Sequence, residues 1–313
     1  MLDKIADALG LVIREEWALK NIFHYLGQAF SSFSIKGFFA GLLAVAEMFG
    51  MLAFGLPTTP RGQELDLTDY SLVFYDEFDG NTLDTTKWQT RGNGPRRGGY
   101  NAPSQVSVKD GNLVIAGEYL TDGEYGEGWY AGAVKIKERY TRGYFEIRCI
   151  CSPGEDFWSA FWIQADAPYT ASVSKGGVGG AEIDIFEAFS YGKKVGGNSV
   201  THTIHCAGVD GVEEGFQSAN LGDFYGNNIF EEYNTYGLEW TEDEYIFYIN
   251  GVETGRLSTG GVSQNPEYLI LSCEVAGENG VANADRHGTG KMSMKPGDKA
   301  EFIVDYVRVY QYK

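Results

Sequence analysis

Basic residues are scarce in this 313-residue chain: 25 Lys and Arg stand against 43 Asp and Glu, a formal net charge of −18. Nucleic-acid binding needs concentrated cations that displace counterions from phosphate, so the balance argues against that class. It also disfavours a heavily sulfated polymer, although a local basic patch can override the net charge. Cysteine is thin as well. Cys149, Cys151, Cys206 and Cys273 form no CxxC pair, the usual mark of zinc or redox chemistry. Cys149 and Cys151 stand two apart in a strand-like run, point the same way and cannot easily bridge, so buried free thiols are expected. Proline is rarer still, with 8 residues beside 42 Gly. Together they stay well under the roughly 25–30% of low-complexity chains. No βαβ alternation and no internal repeat is visible.

What is present suits a folded all-β protein. Hydrophobic residues make up 43% of the chain, and the aromatics comprise 6 Trp, 20 Tyr and 19 Phe. Abundant Gly with abundant aromatics fits many short strands joined by tight turns. From SLVFYDEF onward, strand-length runs recur, among them QVSVKDGNLVIAGEY, YFEIRCICS, FWSAFWIQ, EIDIFEAF, SVTHTIHC, EYIFYINGV and EFIVDYVRVYQYK. Asp110-Gly111 and Asn250-Gly251 fall between alternating runs and predict hairpin turns, because both dipeptides tolerate the positive φ that such turns need. The expected architecture is an antiparallel two-sheet β-sandwich over residues 68–313.

The first 56 residues differ. Apolar positions from Leu2 to Phe30 recur at helical spacing, and residues 38–56 contain a single charged residue, Glu47. Nineteen helical residues span about 28 Å, close to the roughly 30 Å hydrocarbon layer, but an acid near the midpoint makes insertion marginal. The expectation is an N-terminal helical hairpin over 1–56. Its roles remain open between a membrane anchor, a late-starting signal sequence and a soluble hairpin packed on the domain. A linker, 57–67, follows. If the run inserts, the charge distribution puts the C-terminal domain outside the cell or at its surface.

AEIDIFEAF places Glu182, Asp184 and Glu187 within one strand-like stretch. Three acids so close on an apolar strand repel one another and are costly to bury. In a regular strand Glu182 and Asp184 share a face while Glu187 points into the core. One inserted residue at Ile185-Phe186, a β-bulge, returns Glu187 to their side. Glycoside cleavage needs this set: one carboxylate to attack or stabilise the anomeric carbon and one protonated carboxyl to donate to the leaving oxygen. An acidic calcium site or a solvated outer face are the alternatives. Trp158, Ala160 and Trp162 share another strand face, and indole rings stack on pyranose faces; core packing is the alternative for each Trp. His202 and His205 have opposite parity, so one of them at most faces a cleft.

These residues resemble glycoside hydrolase family 16. EIDIFE matches the ExDxxE signature of its laminarinase-like members. FYDEFDGNTLDTTKW, RGYFEIRCICSPGEDFWSAFWI, YGLEWTEDEYIFYINGV and FIVDYVRVYQ resemble, in order, its other strand motifs over about residues 70–313. The resemblance implies a concanavalin-like β-jelly roll and retaining double displacement, with Glu182 as nucleophile, Asp184 assisting and Glu187 as acid/base. It implies an endo-acting hydrolase of β-1,3- or mixed β-1,3/1,4-glucan, a monomer that needs no cofactor for catalysis. A galactan hydrolase of the agarase or carrageenase type, a transglycosylase and a non-catalytic carbohydrate-binding module are the alternatives. It favours His205 as the cleft histidine, adds Trp129, Tyr100 and Asn101 as flanking substrate contacts, and implies a structural calcium at Glu77, Gly111 and Asp305. The chain departs from the family pattern after EYLILSCEVAG, where ENGVANADRHGTGKM carries no aromatic residue, and before the first inner strand, which follows a shortened segment.

Overall fold

The computed structural model describes residues 64–166, 180–192, 197–207, 216–224, 226–258, 261–282 and 294–313. The helical hairpin expected over 1–56, its apolar run 38–56 and most of the linker lie outside them. Among the described residues no helix is long and apolar enough to cross a membrane.

The strands follow in order: β1 (Tyr70–Asp76), β2 (Trp88–Thr90), β3 (Gly94–Arg96), β4 (Gly99–Asn101), β5 (Val106–Lys109), β6 (Asn112–Leu120), β7 (Gly128–Ile136), β8 (Gly143–Ile150), β9 (Phe157–Gln164) and β10 (Glu182–Ala188). Then come β11 (Val200–Ala207), β12 (Phe216–Phe224), β13 (Asn234–Trp240), β14 (Tyr245–Ile249), β15 (Val252–Leu257), β16 (Tyr268–Val275), the short pair β17 (Gly277–Glu278) and β18 (Val281–Ala282), and β19 (Lys299–Tyr312). Nearly every pairing is antiparallel, as expected. Among the described residues the exception is the short parallel contact of β4 with β7.

Two layers result. The front sheet runs β2-β7-β16-β9-β10-β11-β12. The back sheet is built on β19, which pairs β8 along one edge and β6 then β1 along the other, while β8 continues to β13, β14 and β15. Strand β7 leaves β6 for β16 and so joins the layers. Phe186 of the front sheet packs 4.2 Å from Tyr236 and edge-on to Phe302 of the back sheet, which places the core between them. Both sequence-predicted hairpins form. Asp110 and Gly111 have φ of 51° and 72°, and Asn250 and Gly251 have 51° and 75°, the paired positive values of a tight hairpin.

The four cysteines are free and buried, as the sequence implied. Burial holds the Cys149 thiol well above its ordinary pKa and pushes Cys273 up to about 12.

Candidate active site

Strand β10 is central in the front sheet, between β9 and β11, and it is bulged where the sequence requires. Asp184 lies opposite Trp162 and Phe186 opposite Phe161, so two steps on β10 match one on β9. On the other side, Asp184 and Glu187 lie opposite Thr203 and Thr201. The extra residue lets Ile185 and Phe186 both turn into the core, fully buried, and returns Glu187 to the face of Glu182 and Asp184.

Each acid has a distinct environment. Gln164 Nε2 donates to Glu182 Oε2 at 2.5 Å. Asp184 is buried, and its pKa is driven well up by burial and by the neighbouring Glu182 charge, against the opposing pull of Arg97. His205 Nε2 stands 3.0 Å from Asp184 Oδ2. Burial lowers the His205 pKa, with Glu182 and Glu187 pulling the other way. Burial thus acts against the charged form of both partners. Glu187 is pushed up to about 8, first by burial and then by Asp184. It is therefore a carboxylic acid near neutral pH, beside the Thr203 hydroxyl at 3.4 Å.

The histidines separate as their parity implied. His205 pairs with Glu182 in register and shares the acid face. His202 is fully buried on the core side.

Trp158 and Trp162 do share the acid face through β9, but they are only 7% and 6% exposed. An arginine covers each ring: Arg97 lies 4.2 Å from the Trp158 centroid and Arg91 4.5 Å from that of Trp162. The surface presented is guanidinium on indole rather than bare indole. Arg96 and Arg97 both pair with the buried Glu274, the residue opposite Trp158 on β16. The flanking candidates have other surroundings. Trp129 packs edge-on against Phe157 and Tyr119, Tyr100 against Tyr130 and Tyr125, and Asn101 is buried with no hydrogen-bond partner for either amide atom among the described residues.

Sequence reasoning missed a second set. Gln164 Oε1 accepts from Arg91 at 2.9 Å and from the Tyr268 hydroxyl at 3.3 Å. Lys135 lies 4.1 Å over the Tyr268 ring, with Arg139 at 5.4 Å. Burial, then Arg91, lowers the Lys135 pKa. Asp166 is engaged with Arg139 at 2.7 Å. Gln164 was readable, since it continues the Trp158-Trp162 alternation. The cations come from β7 and loops far away in sequence.

Metal sites can also be judged from their donors. The Glu77 carboxylate is bound at both oxygens by Arg308, at 2.9 and 3.0 Å, and Asp305 pairs with Arg148 at 2.5 Å. Gly111 serves the β5–β6 turn. With both carboxylates neutralised by arginine, this set does not fit a calcium ion, which takes anionic oxygens for itself. Among the described residues, Glu182, Asp184 and His205 bring potential ligand atoms within 4.8 Å of one another, but these are the groups already placed in the acid cluster.

Residues 72–312 match the family model described as Beta-porphyranase A-D, GH16 domain. Glucan endo-1,3-beta-glucosidase A1 of Niallia circulans is 28% identical over 297 residues, covering 83% of this chain and 40% of the relative. Beta-porphyranase E of Zobellia galactanivorans is 40% identical over 96 residues, covering 29% of this chain and 33% of the relative. The chain spans less than half the length of both. A crystal structure of SCLam, a non-specific endo-beta-1,3(4)-glucanase, superposes with a TM-score of 0.61 at 24% identity, covering 83% of this chain and 98% of that one. That likeness establishes the β-sandwich fold.

Proposed function

The chain belongs to glycoside hydrolase family 16, and from that premise we propose an endo-acting, retaining hydrolase of β-linked glycans, with β-1,3- or mixed β-1,3/1,4-glucan as substrate. The observation that carries the reading is the bulged β10, which gathers three acids on one face and leaves one of them, Glu187, protonated near neutral pH. Glu182, oriented by Gln164, attacks the anomeric carbon while Glu187 gives its proton to the departing oxygen. The glycosyl–Glu182 ester is then hydrolysed by a water that Glu187, now a carboxylate, deprotonates. Asp184, in contact with His205, sits beside Glu182 on the same face of the strand. The glucanase relative supports the substrate class.

A galactan, or another glycan that carries anionic groups, is the second reading. Arg91, Lys135 and Arg139 favour it, gathered on a front-sheet patch in a chain of net charge −18, together with the porphyranase-type model. The cations supply the local basic patch that a negative net charge alone would not predict. Incubation of residues 63–313 with laminarin, lichenan, agarose, porphyran and carrageenan, with product lengths read by chromatography, decides between the readings and tests endo action. Glu182→Gln should bind the cleaved glycan and not turn it over. Ordinary hydrolysis by that variant removes the assignment.

A polysaccharide substrate supports, as part of this proposal, a domain that works outside the cell or at its surface. Detergent phase partitioning of the full chain against residues 63–313 tests anchorage through residues 38–56: equal partition into the aqueous phase argues against it.

A further inference from the structure

The bulge that gives β10 its function creates a problem on the opposite side of the strand. An inserted residue interrupts the ladder, and its backbone groups need partners from elsewhere. Here the extra residue is Ile185, fully buried, and its carbonyl lies 2.5 Å from Nδ1 of His202. Since a carbonyl only accepts, the Nδ1–H tautomer donates to it. The other ring nitrogen, Nε2, is then an acceptor 2.8 Å from the Thr254 hydroxyl, whose single proton is shared between Nε2 and the Phe247 carbonyl at 3.1 Å. The ring itself stacks on Phe247, centroid to centroid at 4.7 Å and 23°. His202 therefore runs from the bulge in the front sheet to β14 and β15 in the back sheet. Both ends are fixed, and the middle is clamped by an aromatic face.

We infer that His202 is a positioning residue for catalysis: it holds the Ile185 carbonyl, and with it the bulge that presents Glu187 to the leaving oxygen. The inference rests on the reading of Glu187 as the acid. His202 never touches the glycan. Its effect passes through one backbone carbonyl, two residues before Glu187, and falls on the step that needs a proton more than on the step that needs a nucleophile. The neutral ring suits this task, because burial lowers its pKa to about 4 and fixes one donor and one acceptor over the working range.

The test separates protonation from attack. His202→Phe keeps a ring against Phe247 and removes the donor; His202→Asn restores an N–H close to the Nδ1 position. Both are compared with wild type on laminarin, whose leaving alcohol needs the acid, and on 2,4-dinitrophenyl β-laminaribioside, whose leaving group does not. General acid catalysis supplies about 10²–10⁴-fold, so a displaced acid should cost His202→Phe roughly 10–100-fold in kcat on laminarin. On the activated glycoside, kcat/KM, which reports only formation of the glycosyl–Glu182 ester and not the later step in which Glu187 is the base, should change less than about threefold, and His202→Asn should recover most of the loss on laminarin. A crystal structure of His202→Phe should show Glu187 moved from its register opposite Ala160 and Thr201. Wild-type kinetics on both substrates, equal losses on both, or an unchanged bulge with Glu187 in place overturns the inference. Should His202→Phe fail to fold, Thr254→Val carries the same test, with a smaller selective loss on laminarin expected and no change overturning it. If wild type cleaves neither substrate, the glucan reading fails, while the structure of the variant still decides whether His202 holds the bulge.

Discussion

Gln164 Nε2 donates to Glu182 Oε2 at 2.5 Å, from one strand to its neighbour, while its own Oε1 is held by Arg91 and the Tyr268 hydroxyl. These two acceptor contacts fix which way the amide points. They leave its N–H₂ no choice but to face the carboxylate, so Glu182 is oriented by a group that is itself oriented. Gln164→Leu keeps the approximate volume and removes the donor. It should lower kcat by about 10²-fold, in line with the loss of one preorganised hydrogen bond at a reacting group, with little change in KM. Steady-state kinetics on the cleaved glycan checks this. Gln164→Glu should fare worse, since it sets a further acid against Glu182.

Glu187 predicts the alkaline side of the pH profile. Burial and Asp184 raise its pKa to about 8, and the acid works only when protonated. Activity as kcat/KM should therefore hold from neutral pH and fall as pH rises through about 8, one decade per unit beyond it. In Glu187→Gln that limb should vanish along with most activity on polysaccharide, whereas a 2,4-dinitrophenyl glycoside should still release its aryl group. A profile that keeps the limb in Glu187→Gln would assign the titration to another residue.

The acids were legible in the sequence because a strand has a strict period of two. Glu182 and Asp184 agree with it, Glu187 violates it, and an inserted residue is the local remedy; the structure places that insertion at Ile185. The hairpins were legible for a similar reason, since Asp-Gly and Asn-Gly specify their own backbone angles. Pairings across long stretches of chain were not. Glu77 and Asp305 look like free oxygen ligands in the sequence, but Arg308, 231 residues from Glu77, and Arg148, 157 residues from Asp305, neutralise them. The indoles of β9 were read as stacking platforms because nothing in FWSAFWI announces that Arg91 and Arg97 will fold over them. In the sequence His202 has the parity that faces away from the cleft. That parity was correct, and it is the reason the ring reaches the carbonyl at the bulge.

Burial first, then the like charge of Arg91 and, less, that of Arg139, lowers the Lys135 pKa, with Asp166 pulling the other way. An anionic group on the glycan would relieve that repulsion, whereas a neutral sugar would not. Lys135→Met should raise KM for carrageenan or porphyran about tenfold if either is cleaved, while leaving laminarin within twofold; one charge–charge contact of about 1.4 kcal/mol accounts for a factor of ten. The same difference should shrink as salt rises. Equal KM changes on neutral and charged glycans would assign Lys135 a packing role on Tyr268.

The four thiols should be silent in the folded protein. All are buried and free, and burial raises the pKa of Cys149, Cys206 and Cys273, which suppresses the reactive thiolate. Ellman's reagent at pH 8 should release less than one equivalent per chain natively and about four in guanidinium. Fast reaction of a native thiol would mean that the sandwich opens locally around it.

Glu267 offers a test of stability that is independent of catalysis. It is 1% exposed, accepts from the Ala181 amide at 2.9 Å and the Ser263 hydroxyl at 2.5 Å, and so ties the segment entering β10 to the start of β16. Its pKa is raised to about 8 by burial, despite those two hydrogen bonds, from an ordinary 4.5. The folded state thus holds a proton that the unfolded state releases above about pH 4.5. The stability this proton confers is complete below that pH and is lost as pH rises, until the folded carboxyl also ionises near 8. Within that window the slope from this one group is on the order of 1.4 kcal/mol per pH unit. Glu267→Gln keeps the accepting oxygen and cannot ionise. It should differ from wild type by a constant below pH 4.5 and gain on it steadily from there to pH 8, as read from chemical denaturation at a series of pH values. A difference that stays flat across the window would mean that Glu267 is ionised in the fold and its hydrogen bonds outweigh its burial.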